Sequence, residues 1–170
     1  MKIIIMGDSH ENIEAISLVR ENYADADYLI HCGDCCVNAS EMHGFVTVEG
    51  NMDRPNQFPM YQIIECEPHS IMVIHGHTLL SSNMTLRELS QFAKSHECDV
   101  LIFGHIHMYL DLEYDGVRLL SPGSVFDNRD GSDPSLMGII IRPDGKMKVQ
   151  RINYLDLVNT EESDHVRRYC

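Results

Sequence analysis

The chain has 170 residues, a formal net charge of −13 and a sequence pI near 5.0. That length suits one domain, which buries roughly 70% of its unfolded surface and can sustain a core without staples. The acidity speaks against a surface that tracks nucleic-acid phosphates, since that would need clustered Lys and Arg. It is read as a solubility feature, or as charge partly offset by bound cations.

In chain order, the apolar run Lys2–Met6 predicts a strand, Gly7–Asn12 a polar turn, and Ile13, Ile16, Leu18 and Val19 a helix by their spacing. Asp27–His31 predicts a second strand running into "HCGDCC", and Phe45–Glu49 a third that stops at the loop "EGNMDRP". Tyr61–Glu65 and Ser70–Ile74 predict a hairpin around "CEPH", ending in "HGH". Thr85 to His96 predicts a helix, with Thr85 and Glu88 matching a capping box. Asp99–Phe103 predicts a buried strand leading into "GHIH". Met108–Tyr114 and Val117–Leu120 flank Asp115-Gly116, a type I′ hairpin signal. "SPGSVFDNRDGSDPS" predicts a long loop, and Leu136–Arg142 with Lys146–Asn153 a last hairpin. Residues 1–154 are expected to form the domain and 155–170 a polar, frayed extension. An α/β first part followed by antiparallel β favours two packed sheets flanked by helices over one doubly wound sheet.

Six cysteines fall in no regular framework. Cys32, Cys35 and Cys36 cluster, Cys66, Cys98 and Cys170 are scattered, and no second Cys or His pair stands at zinc-site spacing, so reduced thiols are expected. The apolar start is too short for a signal-peptide core, and nothing approaches the ~18 apolar residues of a membrane span. A cytoplasmic protein without membrane contact is expected.

Ligand-type residues recur just past the strand ends: Asp8 and His10 after the first strand, Asp34 after the second, Asn51 after the third, His75 after the hairpin, and His105 and His107 after the buried strand. In α/β sheets that edge is where ligand sites form. Residues at i and i+2 of extended chain point to one face, so each pair can aim two ligands at one cleft. Any one of these motifs alone is as readily a turn or a satisfied core histidine; their joint placement is the signal. Two carboxylates, an amide and four imidazoles suit Mn, Fe, Zn or Ni better than Ca or Mg. Seven side chains exceed the needs of one ion and suit two ions about 3.5–4 Å apart, the arrangement used for attack at phosphorus.

The ordered motifs D-x-H, G-D, G-N, H-G-H and G-H-x-H over residues 1–153 resemble the calcineurin-like metallophosphoesterases, and the length and "SPGS" resemble their small bacterial and archaeal phosphodiesterase branch. The resemblance implies a four-layer α/β/β/α sandwich of two mixed sheets with a dinuclear metal site at the C-terminal strand ends. It implies that Asp8, His10 and His107 hold one divalent ion, that Asn51, His75 and His105 hold the other, and that Asp34 bridges. Mn is favoured, with Fe, Zn or Ni as alternatives. The implied reaction is hydrolysis of a small phosphate ester, a diester more than a monoester, by hydroxide held between the ions. Asn51, Ser124 and Arg129 are expected to meet substrate, and Asp34, His77 and Asp53 to serve catalysis, Asp53 by orienting a ligand or pairing with Arg54.

Three positions depart from the family pattern. Met52 stands where many members have the His that protonates the leaving group, so that proton must come from water, from His77 or from nothing, and good leaving groups should suffer least. Glu11 replaces the usual Gly and is expected to cap the following helix. The Pro that often follows G-H-x-H is missing. A protein-binding scaffold of the same fold, the role of the retromer subunit, is the rival reading; the complete ligand set argues for an enzyme. Nucleic acid is not an expected partner, and self-association is left open.

Overall fold

The computed structural model describes residues 1–79 and 85–159. The elements are β1 (Lys2–Met6), α1 (Ile13–Asn22), β2 (Tyr28–His31), β3 (Phe45–Thr47), β4 (Tyr61–Cys66), β5 (His69–Ile74), α2 (Leu86–Ser95), β6 (Val100–Phe103), β7 (Tyr109–Tyr114), β8 (Val117–Pro122), β9 (Ser135–Ile141) and β10 (Met147–Asn153), with a 3-10 turn at Ala39–Met42. They build two five-stranded sheets, ordered β10-β9-β1-β2-β3 and β4-β5-β6-β8-β7. In the first, β1, β2 and β3 run parallel and β9 pairs antiparallel to β1. In the second, β5, β6 and β8 run parallel, with antiparallel β4 and β7 at the edges.

Strand alternation divides the apolar side chains among three layers of core. Ile3, Ile5 and Ile30 of the first sheet meet Ile71, Val73, Val100 and Ile102 of the second between the sheets. Their neighbours Ile4, Met6 and Leu29 face the other way, onto Ala15, Ile16 and Val19 of α1. Met72, Ile74, Leu101 and Phe103 likewise meet Leu89 and Ala93 of α2. β1 and β6 are apolar on both faces because each is covered on both, which gives the four layers α/β/β/α.

Three local expectations change. Asn12, not Glu11, caps α1: its Oδ1 accepts the Ala15 amide at 2.9 Å, since a short amide side chain reaches back where a glutamate one position earlier does not. β8 runs on through Ser121 and Pro122, which pair with Leu110 and Tyr109 instead of opening the loop. The tail does not fray at once. Residues 154–159 are helical, Tyr154 is buried, and Leu157 and Val158 pack against the α1 core. Residues 160–170, with His165 and Cys170, lie outside the described residues. The capping box at α2 is formed by the Glu88 carboxylate, which accepts the Thr85 amide at 2.9 Å and its hydroxyl at 3.2 Å. No described helix is long and apolar enough to cross a membrane.

Candidate metal centre

The parallel pairing of β1 with β2 carries on past the strand ends. The Asp8, His10 and Glu11 amides donate to the Gly33, Asp34 and Cys35 carbonyls at 3.1, 3.1 and 3.0 Å. Beyond β5 and β6, the Gly104 amide donates to the His75 carbonyl at 3.1 Å. These bonds fix four ligand loops at one edge of the sandwich. Asp8, His10, Asp34, His105 and His107 all have positive φ, from 44° to 67°. The expected extended geometry of the i and i+2 pairs is therefore not what aims them. A left-handed residue costs roughly 1–2 kcal/mol, and the loop hydrogen bonds hold it in place, as is common where function is built on strain.

His107 Nε2 lies 3.2 Å from Asp8 Oδ1 and 3.3 Å from His10 Nε2. His75 Nε2 lies 3.4 Å from Asp34 Oδ2, 3.3 Å from Asn51 Oδ1 and 4.0 Å from Asp8 Oδ1. The His105 ring stands 5.2 Å from that of His75, centre to centre. All seven residues named from the sequence thus lie around one cleft. Two groups have ligand atoms mutually within 4.8 Å: Asp8, His10 and His107, and Asp8, Asp34 and His75. Asp8 belongs to both groups, and Asp34 lies in the second. Asp8 follows β1, the central strand of its sheet, and lies close to both the His107 and the His75 rings.

The donor chemistry fits divalent cations. The Asp8 carboxylate is fully buried and meets the His105 amide at 3.2 and 3.1 Å together with imidazole nitrogens. A buried anion ringed by lone-pair donors needs positive charge to be stable. Gly104 matters here, because a Cβ at that position would stand 2.7 Å from the Cys32 carbonyl oxygen, 3.0 Å from Asp8 Oδ2 and 3.1 Å from His75 Nδ1.

Outer contacts orient the ring nitrogens that face away from the cleft. His75 Nδ1 meets the Cys32 carbonyl at 2.7 Å, His107 Nδ1 the Asp127 carbonyl at 2.9 Å, and His10 Nδ1 the Cys36 sulfur at 3.8 Å. Burial alone lowers the His75 pKa, yet its hydrogen bond to Asp34 and the nearby Asp8 bring it above the usual value. His107 is raised first by its bond to Asp8. His77 and His105 are lowered by burial and by the neighbouring His75.

Ser124 and Asp53 lie beneath the cleft and bond the loops that form it. Ser124 is fully buried; its hydroxyl donates to the Asp8 carbonyl at 2.8 Å and accepts the amides of Phe126 and Asp127 at 2.9 and 3.1 Å. With its hydroxyl engaged this way, Ser124 braces the Asp8 loop. Asp53 is buried as well. Its Oδ2 accepts the Asp34 and Gly50 amides at 2.9 and 2.8 Å, and its Oδ1 accepts the Cys36 amide at 2.8 Å and the Cys35 thiol at 3.2 Å. It ties the Asp34 loop to the Asn51 loop, as expected of a residue that orients a ligand.

His77 stands beside His75, 5.4 Å between ring centres, and its buried Nδ1 has no partner among the described residues. An apolar hollow of about 100 Å³, lined by Met60, Tyr61, Leu79 and Phe92, adjoins His75 and His77. Arg129 is exposed beside the cleft, with its amide on the His107 carbonyl at 2.9 Å and its guanidinium on the His105 carbonyl at 3.3 Å. Met52 is 61% exposed at the rim and Phe126 60% exposed against the His10 ring.

Sequence reasoning missed Cys36, and also Asn128, whose Oδ1 accepts the Ser124 amide at 2.8 Å. A conspicuous cysteine cluster was the only signal for the first. The five described cysteines are free thiols; burial pushes Cys35 and Cys36 up, to about 12 and about 11.

Residues 1–142 match the family model of the calcineurin-like phosphoesterase superfamily domain. A probable metallophosphoesterase of Mycoplasma genitalium is 30% identical over 151 residues, covering 85% of this chain and 90% of that protein. A phosphodiesterase of Methanocaldococcus jannaschii is 26% identical over 145 residues, covering 72% and 83%. The crystal structure of a predicted phosphoesterase from Streptococcus pneumoniae superposes with a TM-score of 0.82 at 26% identity, covering 90% of this chain and 89% of that one.

Proposed function

This chain belongs to the calcineurin-like phosphoesterase superfamily and is a metal-dependent phosphoric ester hydrolase; from that premise we propose that it acts on small phosphodiesters with two manganese ions. Asp8, His10 and His107 would hold one ion, Asn51, His75 and His105 the other, with Asp34 shared between the two. The observation that carries this reading is the Asp8 carboxylate, buried between the His107 and His75 nitrogens. Nitrogen and oxygen donors without a thiolate support manganese over the hard all-oxygen cations. Bound there, the ions supply Lewis acidity and lower the pKa of a coordinated water toward neutrality.

The protein's own groups do the rest. Arg129 offers a cationic guanidinium to a non-bridging phosphoryl oxygen at the cleft edge. Asp53 fixes both loops that present Asp34 and Asn51. Met52 has no proton to give, so the preferred esters are those whose alkoxide or phenoxide leaves without a positioned acid. The name of the Methanocaldococcus jannaschii relative supports the diester preference.

The test is metal content after dialysis, followed by hydrolysis of bis(p-nitrophenyl) phosphate and p-nitrophenyl phosphate with added Mn²⁺. Two bound ions per chain and faster turnover of the diester are expected. A metal-loaded protein that hydrolyses neither ester overturns the assignment.

A further inference from the structure

We propose that Cys36 is a positioning residue that holds His10 for its ion, with the sulfur as the outer hydrogen-bond acceptor of the His10 ring. The inference rests on the ligand assignment above and extends it to a residue that assignment does not use. Among the outer contacts of the ligand rings, His75 and His107 lean on backbone carbonyls, at 2.7 and 2.9 Å. His10 leans on a side chain, Cys36 Sγ at 3.8 Å from Nδ1. When Nε2 of an imidazole gives its lone pair to a metal, Nδ1 carries the proton and needs an acceptor, and that acceptor sets the ring's rotation. His10 Nε2 already faces His107 Nε2 at 3.3 Å, so the sulfur sits on the side where the acceptor is required.

Cys36 is itself held firmly enough to play this part. Its amide donates to Asp53 Oδ1 at 2.8 Å, and the adjacent Cys35 thiol reaches the same oxygen at 3.2 Å. The other oxygen of Asp53 fixes the Asp34 and Gly50 amides. One buried carboxylate therefore sets both the Asp34 loop and the residue that steadies His10. Because sulfur is a weak acceptor, the contact on His10 is weaker than the carbonyl contacts on His75 and His107, and unlike those it is removed by a side-chain substitution.

The experiment titrates the full-length, metal-free protein with Mn²⁺ and follows the free ion by electron paramagnetic resonance, for wild type, Cys36→Ala and His10→Ala. For Cys36→Ala we expect one ion weakened about tenfold, the usual size of an outer-contact loss, with the other unchanged and the metal-free protein unfolding at the wild-type temperature. His10→Ala should lose the same ion. In cobalt-loaded wild type, the exchangeable Nδ1 proton of His10 should give a hyperfine-shifted proton signal that exchanges with solvent faster in Cys36→Ala. If Cys36→Ala does not fold, Cys36→Ser is compared by that same proton signal. His10→Ala losing one ion while Cys36→Ala keeps both at wild-type affinity would overturn the role of Cys36 and leave the metal centre standing. His10→Ala keeping both ions would overturn the ligand assignment itself. A thiolate-to-cobalt charge-transfer band in wild type would make Cys36 a ligand and also end the proposal.

Discussion

The carboxylate of Asp53 accepts the backbone amide of Asp34 at 2.9 Å, from a position 19 residues later in the chain. The same carboxylate takes the amides of Gly50 and Cys36, so a side chain that never enters the cleft aligns the loops that form it. Replacing Asp53 by Ala leaves buried amides without an acceptor, each costing about 1–3 kcal/mol. We expect Asp53→Ala to lose about 3 kcal/mol of stability in urea unfolding. Its manganese affinity should fall at the same time, which calorimetric titration of the folded variant measures.

Asp34→Asn removes an anionic donor 3.4 Å from His75 Nε2 while keeping the side chain's shape. The variant should fold, lose bound metal on dialysis and lose nearly all turnover. Full turnover with metal retained would contradict the placement of Asp34 in the centre.

Met52 is exposed at the rim, and its amide donates to Asp34 Oδ1 at 2.7 Å. A histidine at this position keeps that backbone bond and adds a proton donor beside the cleft. Met52→His should leave hydrolysis of p-nitrophenyl esters intact and raise the rate on alkyl esters, whose leaving groups need protonation. The ratio of the two rates checks this.

A methyl group at Gly104 meets Asp8 Oδ2 at 3.0 Å and the Cys32 carbonyl at 2.7 Å. Gly104→Ala should therefore displace ligands and weaken metal binding about tenfold or more, the scale of outer-contact losses. Metal-free unfolding and manganese titration, run on one preparation, read stability and affinity separately.

Away from the cleft, His69 Nδ1 meets Asp99 Oδ2 at 2.6 Å and Nε2 meets the Gly145 carbonyl at 2.8 Å. Partial burial pulls the His69 pKa down, but the bond to the Asp99 carboxylate and then the carbonyl outweigh it, so the folded value is raised. A raised folded pKa stabilises fully below the unfolded value near 6.5, and the contribution disappears as pH rises through the folded value. His69→Gln should accordingly cost more stability at about pH 5.5 than at about pH 8.5. Urea unfolding of both proteins at the two pH values tests the sign.

The strands, the chemistry of the donors and the edge where they gather were legible in the order of residues. Ile3–Met6 and Val100–Phe103 announce buried strands because apolar periodicity is a local property, and the D-x-H and G-H-x-H motifs stand directly behind them. Which groups meet across loops emerges only from the folded chain. The Ser124 hydroxyl on the Asp8 carbonyl joins residues 116 apart, and the Cys36 sulfur on His10 joins residues 26 apart. Likewise, Asp8 Oδ1 lies 3.2 Å from His107 Nε2 and 4.0 Å from His75 Nε2, both brought to it from the other sheet. Such contacts depend on pairing between distant segments and on left-handed turns at the strand ends, and neither leaves a periodic trace in the chain.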